Sequence, residues 1–287
     1  MSRNSRRTKT VSPVQTPNPT LTPPPQSKTN NPFGIDLVAA TEVVNLPSEG
    51  KFYPPESGLQ GKKTLEIRHL TAREEDILSN EQFIVDGSVF DRLLKSIIVD
   101  TGVDPSHLTV GDRDALLYAA RITGYGSDYT MSMQCPACGK KTEFVFDLSK
   151  QQVEHDLPNG VVFDESNNCF TFQTPKTDLQ VSVRVLTGKD LEYLEQQNDR
   201  AEKLGVENNK TVNLFRMAIL SVNGVTDPTQ LTQLYQVLPA IDSRKIRTVI
   251  NNIAPTLSTK QSVACGSCGE ETESEVPFSL GFFWPDL

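Results

Sequence analysis

The sequence predicts an α+β protein whose body consists of two similar halves joined by one shared four-cysteine site. Two observations support this prediction: a short cysteine motif that occurs twice, and a series of matched segments that precede it in the same order. Strands with alternating polarity and helices with apolar stripes follow one another in each half, which indicates a mixed fold class.

The repeated motif is C-x₂-C followed by glycine, in "CPACG" (Cys135 and Cys138) and in "CGSCG" (Cys265 and Cys268). One such turn supplies two thiolates, half of a tetrahedral zinc site, and neither turn has a histidine beside it. We therefore expect both pairs to form one Cys₄ site that binds one structural Zn²⁺ per chain. Closure of the site between two chains remains an alternative.

Two other readings of the cysteine pairs fit less well. A redox pair is expected at a strand-to-helix turn, and neither pair is predicted there. A catalytic zinc needs an open position for water, which a Cys₄ shell lacks. The fifth cysteine, Cys169, stands alone and is predicted to be a small buried residue of a strand.

A longer repeat surrounds the cysteine pairs. "RHLTAREEDIL" (68–78) matches "RVLTGKDLEYL" (184–194) at an offset of 116 residues, and the cysteines match at an offset of 130. The order of the matches is kept and the offset only grows, as expected when the loops of a second copy lengthen. The sequence thus predicts an internal duplication, with one half at residues 33–150 and the other at 151–287.

The elements of the two halves are predicted in the same order. "KTLEIRH" and "DLQVSVRVL" alternate apolar and polar residues as half-buried strands, and each leads into a helix. The pairs Thr71–Glu74 and Thr187–Asp190 have capping-box spacing at those helix starts. The second helix is predicted from apolar stripes: Phe90, Leu93, Leu94, Ile97 and Ile98 in the first half, and Val212, Phe215, Met217, Ile219 and Leu220 in the second. A third helix and a strand–C-x₂-C–strand unit complete each half.

Residues 1–32 differ from the rest of the chain. They contain 7 of its 19 prolines and five Lys or Arg residues but no acidic residue, which is typical of a flexible arm that joins no core. The rest of the chain has 23 basic and 36 acidic residues, so its formal net charge is −13. An arm that lies on an acidic neighbour or on nucleic acid is the alternative.

Composition excludes several classes of function. A formal net charge of −8 argues against broad nucleic-acid binding, and no apolar stretch approaches the length of a membrane span. The sequence lacks G-x-S-x-G, H-E-x-x-H and P-loop motifs, so we expect no enzymatic activity and no small-molecule substrate. Synthesis in a cytoplasm is expected, since no signal peptide is evident.

A zinc-ribbon protein that binds nucleic acid remains a rival prediction. It requires basic residues beside both cysteine pairs. Lys140 and Lys141 follow the first pair, but Glu270 and Glu271 occupy the matching positions after the second. This reversal of charge argues against a shared nucleic-acid face.

Aromatic residues in two places are candidates for contact with a partner. Phe52 and Tyr53 lie in the proline- and glycine-rich stretch "VNLPSEGKFYP", and Phe282, Phe283 and Trp284 lie in the last six residues. Aromatic side chains are favoured interface anchors and are costly to expose. The C-terminal aromatics are therefore expected either to contact a partner or to fold back on the chain's own core.

Several of these motifs together resemble the T-even-type phage baseplate hub proteins. The resemblance rests on "LPSEGKFYP", "RHLTAREEDIL", "DRDALLYAARITGYG", the two cysteine motifs and the terminal "FFWP". It implies a component of the central hub of a contractile-tail baseplate, located in the virion and in contact with other baseplate, hub or tail proteins. It implies no catalytic residues. An assembly chaperone for the hub or the tape-measure protein, which leaves after assembly, would share the same motifs.

Overall fold

The computed structural model describes residues 39–205, 209–276 and 280–283, so the arm predicted at 1–32 lies outside the described residues. The helices are α1 (Ala72–Leu78), α2 (Glu81–Val85), α3 (Val89–Ile97), α4 (Val110–Tyr125), α5 (Gly188–Leu204), α6 (Lys210–Ala218), α7 (Pro228–Val237) and α8 (Ala240–Asn252). The strands are β1 (Thr41–Asn45), β2 (Thr64–Arg68), β3 (Asp128–Gln134), β4 (Lys141–Asp147), β5 (Gln152–Glu154), β6 (Val162–Asp164), β7 (Cys169–Gln173), β8 (Gln180–Val183), β9 (Ile219–Val222), β10 (Thr256–Ser258), β11 (Gln261–Ala264) and β12 (Glu271–Ser274). The α+β class is confirmed.

The sheets are small and antiparallel. Within the described residues, β6, β7, β8 and β9 form one four-stranded sheet in that order, and the other strands pair as β1–β2, β3–β4, β5–β10 and β11–β12. Cys169 begins β7 and is buried, as predicted. Because the sheets are narrow, helices and loops must cover the apolar faces that the strands present.

Both predicted helix starts have the capping-box geometry. The backbone N–H of Thr71 donates to the Glu74 carboxylate at 3.0 Å, and that of Thr187 donates to Asp190 at 2.9 Å. These contacts satisfy amides that have no partner within the helix. The sequence therefore located the N-termini of α1 and α5 correctly.

The predicted second helix of the second half is too long. The observed helix α6 ends at Ala218. The prediction assigned Ile219 and Leu220 to the apolar stripe of this helix, but both residues lie in β9. Ile219 is paired with Val183 of β8 and is buried. A β-branched residue that can join a sheet ladder favours the strand over the last helical turn, which periodicity alone does not reveal.

The buried apolar residues form two clusters. The first lies among β1–β4 and α1–α4 and also includes Val263, Val276, Phe282 and Phe283 from the end of the chain. The second lies among residues 161–254. The segment after α8 thus packs into the core of the first half, although the sequence boundary at 150/151 assigns it to the second. No helix in the described ranges is long and apolar enough to span a membrane.

Candidate metal centre

The four predicted metal ligands lie on two hairpins with the same turn. In the β3–β4 hairpin, Gly139 donates its N–H to the carbonyl of Cys135 at 2.9 Å; in the β11–β12 hairpin, Gly269 donates to Cys265 at 2.8 Å. The two glycines have φ values of 70° and 73°, in the left-handed region where a side chain would be strained. Each C-x₂-C-G sequence therefore folds into a tight turn that places both sulfurs on one side.

The structure brings the two turns together. The sulfurs of Cys135, Cys138, Cys265 and Cys268 all lie within 4.8 Å of one another. The contacts between hairpins, Cys135 to Cys268 and Cys138 to Cys265, are both 3.9 Å. A tetrahedral Zn²⁺ with Zn–S bonds of about 2.3 Å places its sulfurs about 3.8 Å apart. The donor set and its spacing thus fit a tetrahedral metal ion.

The protonation chemistry of the cluster also suits a cation. The Ser267 amide donates to the Cys265 sulfur at 3.4 Å and lowers the pKa of that thiol to about 7. The Glu270 amide favours the Cys268 thiolate, yet the neighbouring sulfurs raise the pKa of Cys268 to about 12. Adjacent thiolates repel one another, so a bound divalent cation is needed to hold all four ionised.

A side-chain contact that the sequence did not predict holds the two hairpins side by side. Gln261 on β11 accepts from the backbone N–H of Asp147 at 3.0 Å and donates to the carbonyl of the same residue at 2.8 Å. The glutamine side chain thus bonds the backbone N–H and C=O of one residue, as a residue of a neighbouring strand would do in a sheet. No pattern in the sequence distinguishes Gln261 from the other glutamines.

Of the two outcomes expected for the C-terminal aromatics, the structure shows the one in which Phe282 and Phe283 fold back on the chain's own core. Phe282 and Phe283 are both 0% exposed and belong to this chain's own core. The Phe282 ring meets Tyr118 edge to face at a centroid distance of 4.7 Å, and its carbonyl accepts from Arg121 at 3.0 Å. The assignment of these two rings to partner contact is therefore corrected, while Trp284 lies outside the described residues.

The other two candidate partner residues are also held mainly within the fold. Tyr53 is 2% exposed; its hydroxyl donates to Asp112 at 2.6 Å and accepts from the Thr109 amide at 2.9 Å. Phe52 is half-buried and packs edge to face on Phe163 at a centroid distance of 5.3 Å. Tyr53 is thus corrected to a buried structural residue, whereas Phe52 retains some surface at the edge of a cavity of about 860 Å³.

Phe282→Ala is expected to destabilise the fold by about 3–5 kcal/mol, because the substitution leaves a cavity at a fully buried position. Urea unfolding of the variant and of the unchanged chain measures the difference. Tyr193→Ala, at an aromatic residue that is 51% exposed, is the control and should change stability little. A Phe282→Ala chain of unchanged stability would contradict the buried placement.

A comparison of the chain with models of protein families identifies its family. A family model described as "T4 bacteriophage base plate protein" matches residues 39–284, a span that contains both cysteine hairpins and the cluster they form. No curated protein and no solved structure gave a match. Because the matched span covers most of the 287 residues, the chain belongs to the T4 bacteriophage base plate protein family.

Proposed function

We propose that this protein is a non-enzymatic component of the baseplate hub that acts through protein–protein contacts and is stabilised by one structural Zn²⁺. The family match over residues 39–284 is the observation that carries the proposal, since it makes other phage structural proteins the expected partners. In this proposal the chain is made in the host cytoplasm and then occupies the tail baseplate of the virion. The hub position is supported by the resemblance of its motifs to hub proteins.

The roles of the buried carboxylates support a non-enzymatic function. Glu74 caps a helix and also accepts from Ser96, and Asp190 caps another and forms an ion pair with Arg184 at 2.7 Å. Asp112 and Asp242 accept hydrogen bonds from loop residues. Each of these acids has a structural use, so none needs a catalytic explanation.

An internal duplication is part of the proposal, and the strand registers support it. Val44 of β1 is opposite Leu65 of β2, and Phe172 of β7 is opposite Val181 of β8. Leu65 and Val181 are 116 residues apart, which is the offset of the sequence repeat. Four of the five β1–β2 partner pairs recur in the β7–β8 register, with β7 numbered 128 higher than β1. The loop between the two strands is therefore 12 residues shorter in the second half, the reverse of the lengthening expected from the sequence matches.

A buried aspartate in each half supports the duplication independently. Asp112, near the start of α4, accepts from the Ser48 amide at 2.8 Å in the loop between β1 and β2. Asp242, near the start of α8, accepts from the Lys176 amide at 2.8 Å in the loop between β7 and β8. Both are 0% exposed. The same hydrogen bond, from a loop amide to an aspartate near a helix start, thus occurs twice. The two aspartates are 130 residues apart, the offset that also separates the cysteine pairs.

Quantitative mass spectrometry of purified phage particles and of infected-cell lysate tests the proposal. We expect a small, fixed number of copies per particle and chemical crosslinks to central baseplate proteins. Abundance in the lysate with absence from the particle would instead identify a departing assembly chaperone. Crosslinks confined to peripheral baseplate proteins would contradict the hub position.

A further inference from the structure

The outer edge of β1 has no strand beside it in the described part of the chain. β1 pairs with β2 in a two-stranded sheet, and only an isolated bridge, Ile67 to Ile98, extends that sheet on the side of β2. Thr41, Glu42, Val43 and Asn45 are exposed. This free edge is five residues long and contains neither proline nor a bulge, two devices that commonly protect edge strands.

The hydrogen-bond alternation shows which backbone groups face outward. The N–H of Leu46 donates to the Lys63 carbonyl, and the Ala40 carbonyl accepts from His69, both at 2.8 Å. In an antiparallel ladder every second residue exchanges both bonds with its partner strand. The even-numbered residues therefore bond to β2, so that the N–H and C=O groups of Thr41, Val43 and Asn45 point to the free edge.

The second half shows what covers the corresponding edge there. β7, which corresponds to β1 at an offset of 128, has β6 on its outer side as an antiparallel strand. β6 places Val162 opposite Thr171 and Asp164 opposite Cys169. Thr171 and Cys169 are the counterparts of Val43 and Thr41. The residues of β7 that β6 covers are thus the counterparts of the β1 residues whose backbone N–H and C=O groups face the free edge.

The side chains of the two edges differ and indicate a different occupant. Phe170 is buried and packs on Phe163 of β6 at a centroid distance of 4.8 Å. Its counterpart on β1 is Glu42, whose side chain is 54% exposed, with the His69 ring 3.8 Å away. A basic residue opposite Glu42 would form a favourable cross-strand pair, whereas a second phenylalanine would not.

We propose that β1 is a docking edge for an extended segment of another protein, which adds to the sheet as an antiparallel strand. The segment places a β-branched apolar residue opposite Val43, which is 64% exposed, and a lysine or arginine opposite Glu42. Main-chain hydrogen bonds to Thr41 and Val43 supply the attachment, and the Glu42 contact selects the partner. This inference rests on the duplication proposed above.

A synthetic peptide provides the test on the isolated full-length chain. It carries residues 159–167 of this sequence with Phe163→Lys and Asp164→Thr, so that Val162 can face Val43 and the lysine can face Glu42. In NMR titrations we expect saturable shifts of the Thr41, Val43 and Asn45 amides and slower hydrogen exchange at Thr41 and Val43. The amides of Glu42 and Val44, already bonded to β2, should exchange at unchanged rates.

Matched variants separate strand addition from general attraction. N-methylation of the peptide at Val162 removes one main-chain donor and should weaken binding about five-fold. Glu42→Lys in the protein should weaken binding of the lysine peptide about five-fold and strengthen that of a peptide with Phe163→Glu. Glu195→Lys, at an exposed residue of α5, should change neither.

Several results would overturn the proposal. The first is an absence of peptide binding, as expected if the edge is already filled. The second is a set of NMR shift changes that does not alternate between odd and even residues of β1. The third is self-association of the chain through β1, which would make a second copy the occupant. Binding is measured without phage particles, so its failure is separate from a failure of the baseplate-hub proposal. Conversely, mass spectrometry that contradicts the hub position would leave the peptide-binding result unaffected.

Discussion

Replacement of Cys265 with serine is expected to abolish stoichiometric zinc binding and to remove much of the stability of the fold. Its sulfur lies 3.9 Å from that of Cys138 and belongs to a cluster that joins the two cysteine hairpins. A structural zinc site contributes its binding free energy to folding, because the unfolded chain holds no preformed site. We expect the melting temperature to fall by more than about 10 °C, with the same result for Cys135→Ser, Cys138→Ser and Cys268→Ser.

Elemental analysis and thermal unfolding with and without a strong chelator measure this effect. One zinc per chain is expected in the unchanged protein and none in the four variants. Cys169→Ser is the matched control, because Cys169 is buried in β7 and is not part of the sulfur cluster. Equal melting temperatures with and without chelator would rule out a structural zinc, and metal bound only by a dimer would place the site between chains.

Replacement of Asp112 with alanine is expected to cost about 3–5 kcal/mol of stability. Its carboxylate accepts from the Ser48 amide, the Ser48 hydroxyl and the Tyr53 hydroxyl, and it is 0% exposed. Removal of the carboxylate leaves the Ser48 amide and hydroxyl without their acceptor and leaves the Tyr53 hydroxyl only a long contact to the Thr109 hydroxyl at 3.4 Å. Burial and the adjacent Asp112 raise the pKa of Tyr53, so this hydroxyl remains a donor throughout the neutral range.

Asp242, which the proposed duplication pairs with Asp112, provides an internal comparison. Asp242→Ala removes the acceptor of the Lys176 amide and of the Thr177 amide and hydroxyl, and a similar loss of stability is expected. Asp76→Ala, at an exposed residue of α1, is the control and should lie within about 0.5 kcal/mol of the unchanged chain. Guanidinium unfolding measures all three. A small effect at Asp112 would show that water replaces the carboxylate.

Local sequence patterns predicted the parts of this fold that depend on near neighbours. Helix starts at Thr71 and Thr187 followed from a spacing of three residues, and the cysteine turns followed from C-x₂-C-G. The convergence of the two cysteine pairs was also predicted, because each turn alone is half a metal site. These features need only short-range geometry or a fixed number of ligands.

The sequence by itself thus determined the mixed fold class, the capped helices and the identity of the four clustered cysteines. Only the tertiary structure decided that Phe282 and Phe283 fill the core of the first half, that Ile219 leaves a helix for a strand, and that Asp112 ties a helix to a distant loop. The physical reason is that burial, sheet pairing and the satisfaction of buried donors depend on residues far apart in the chain, and one sequence states no such distances.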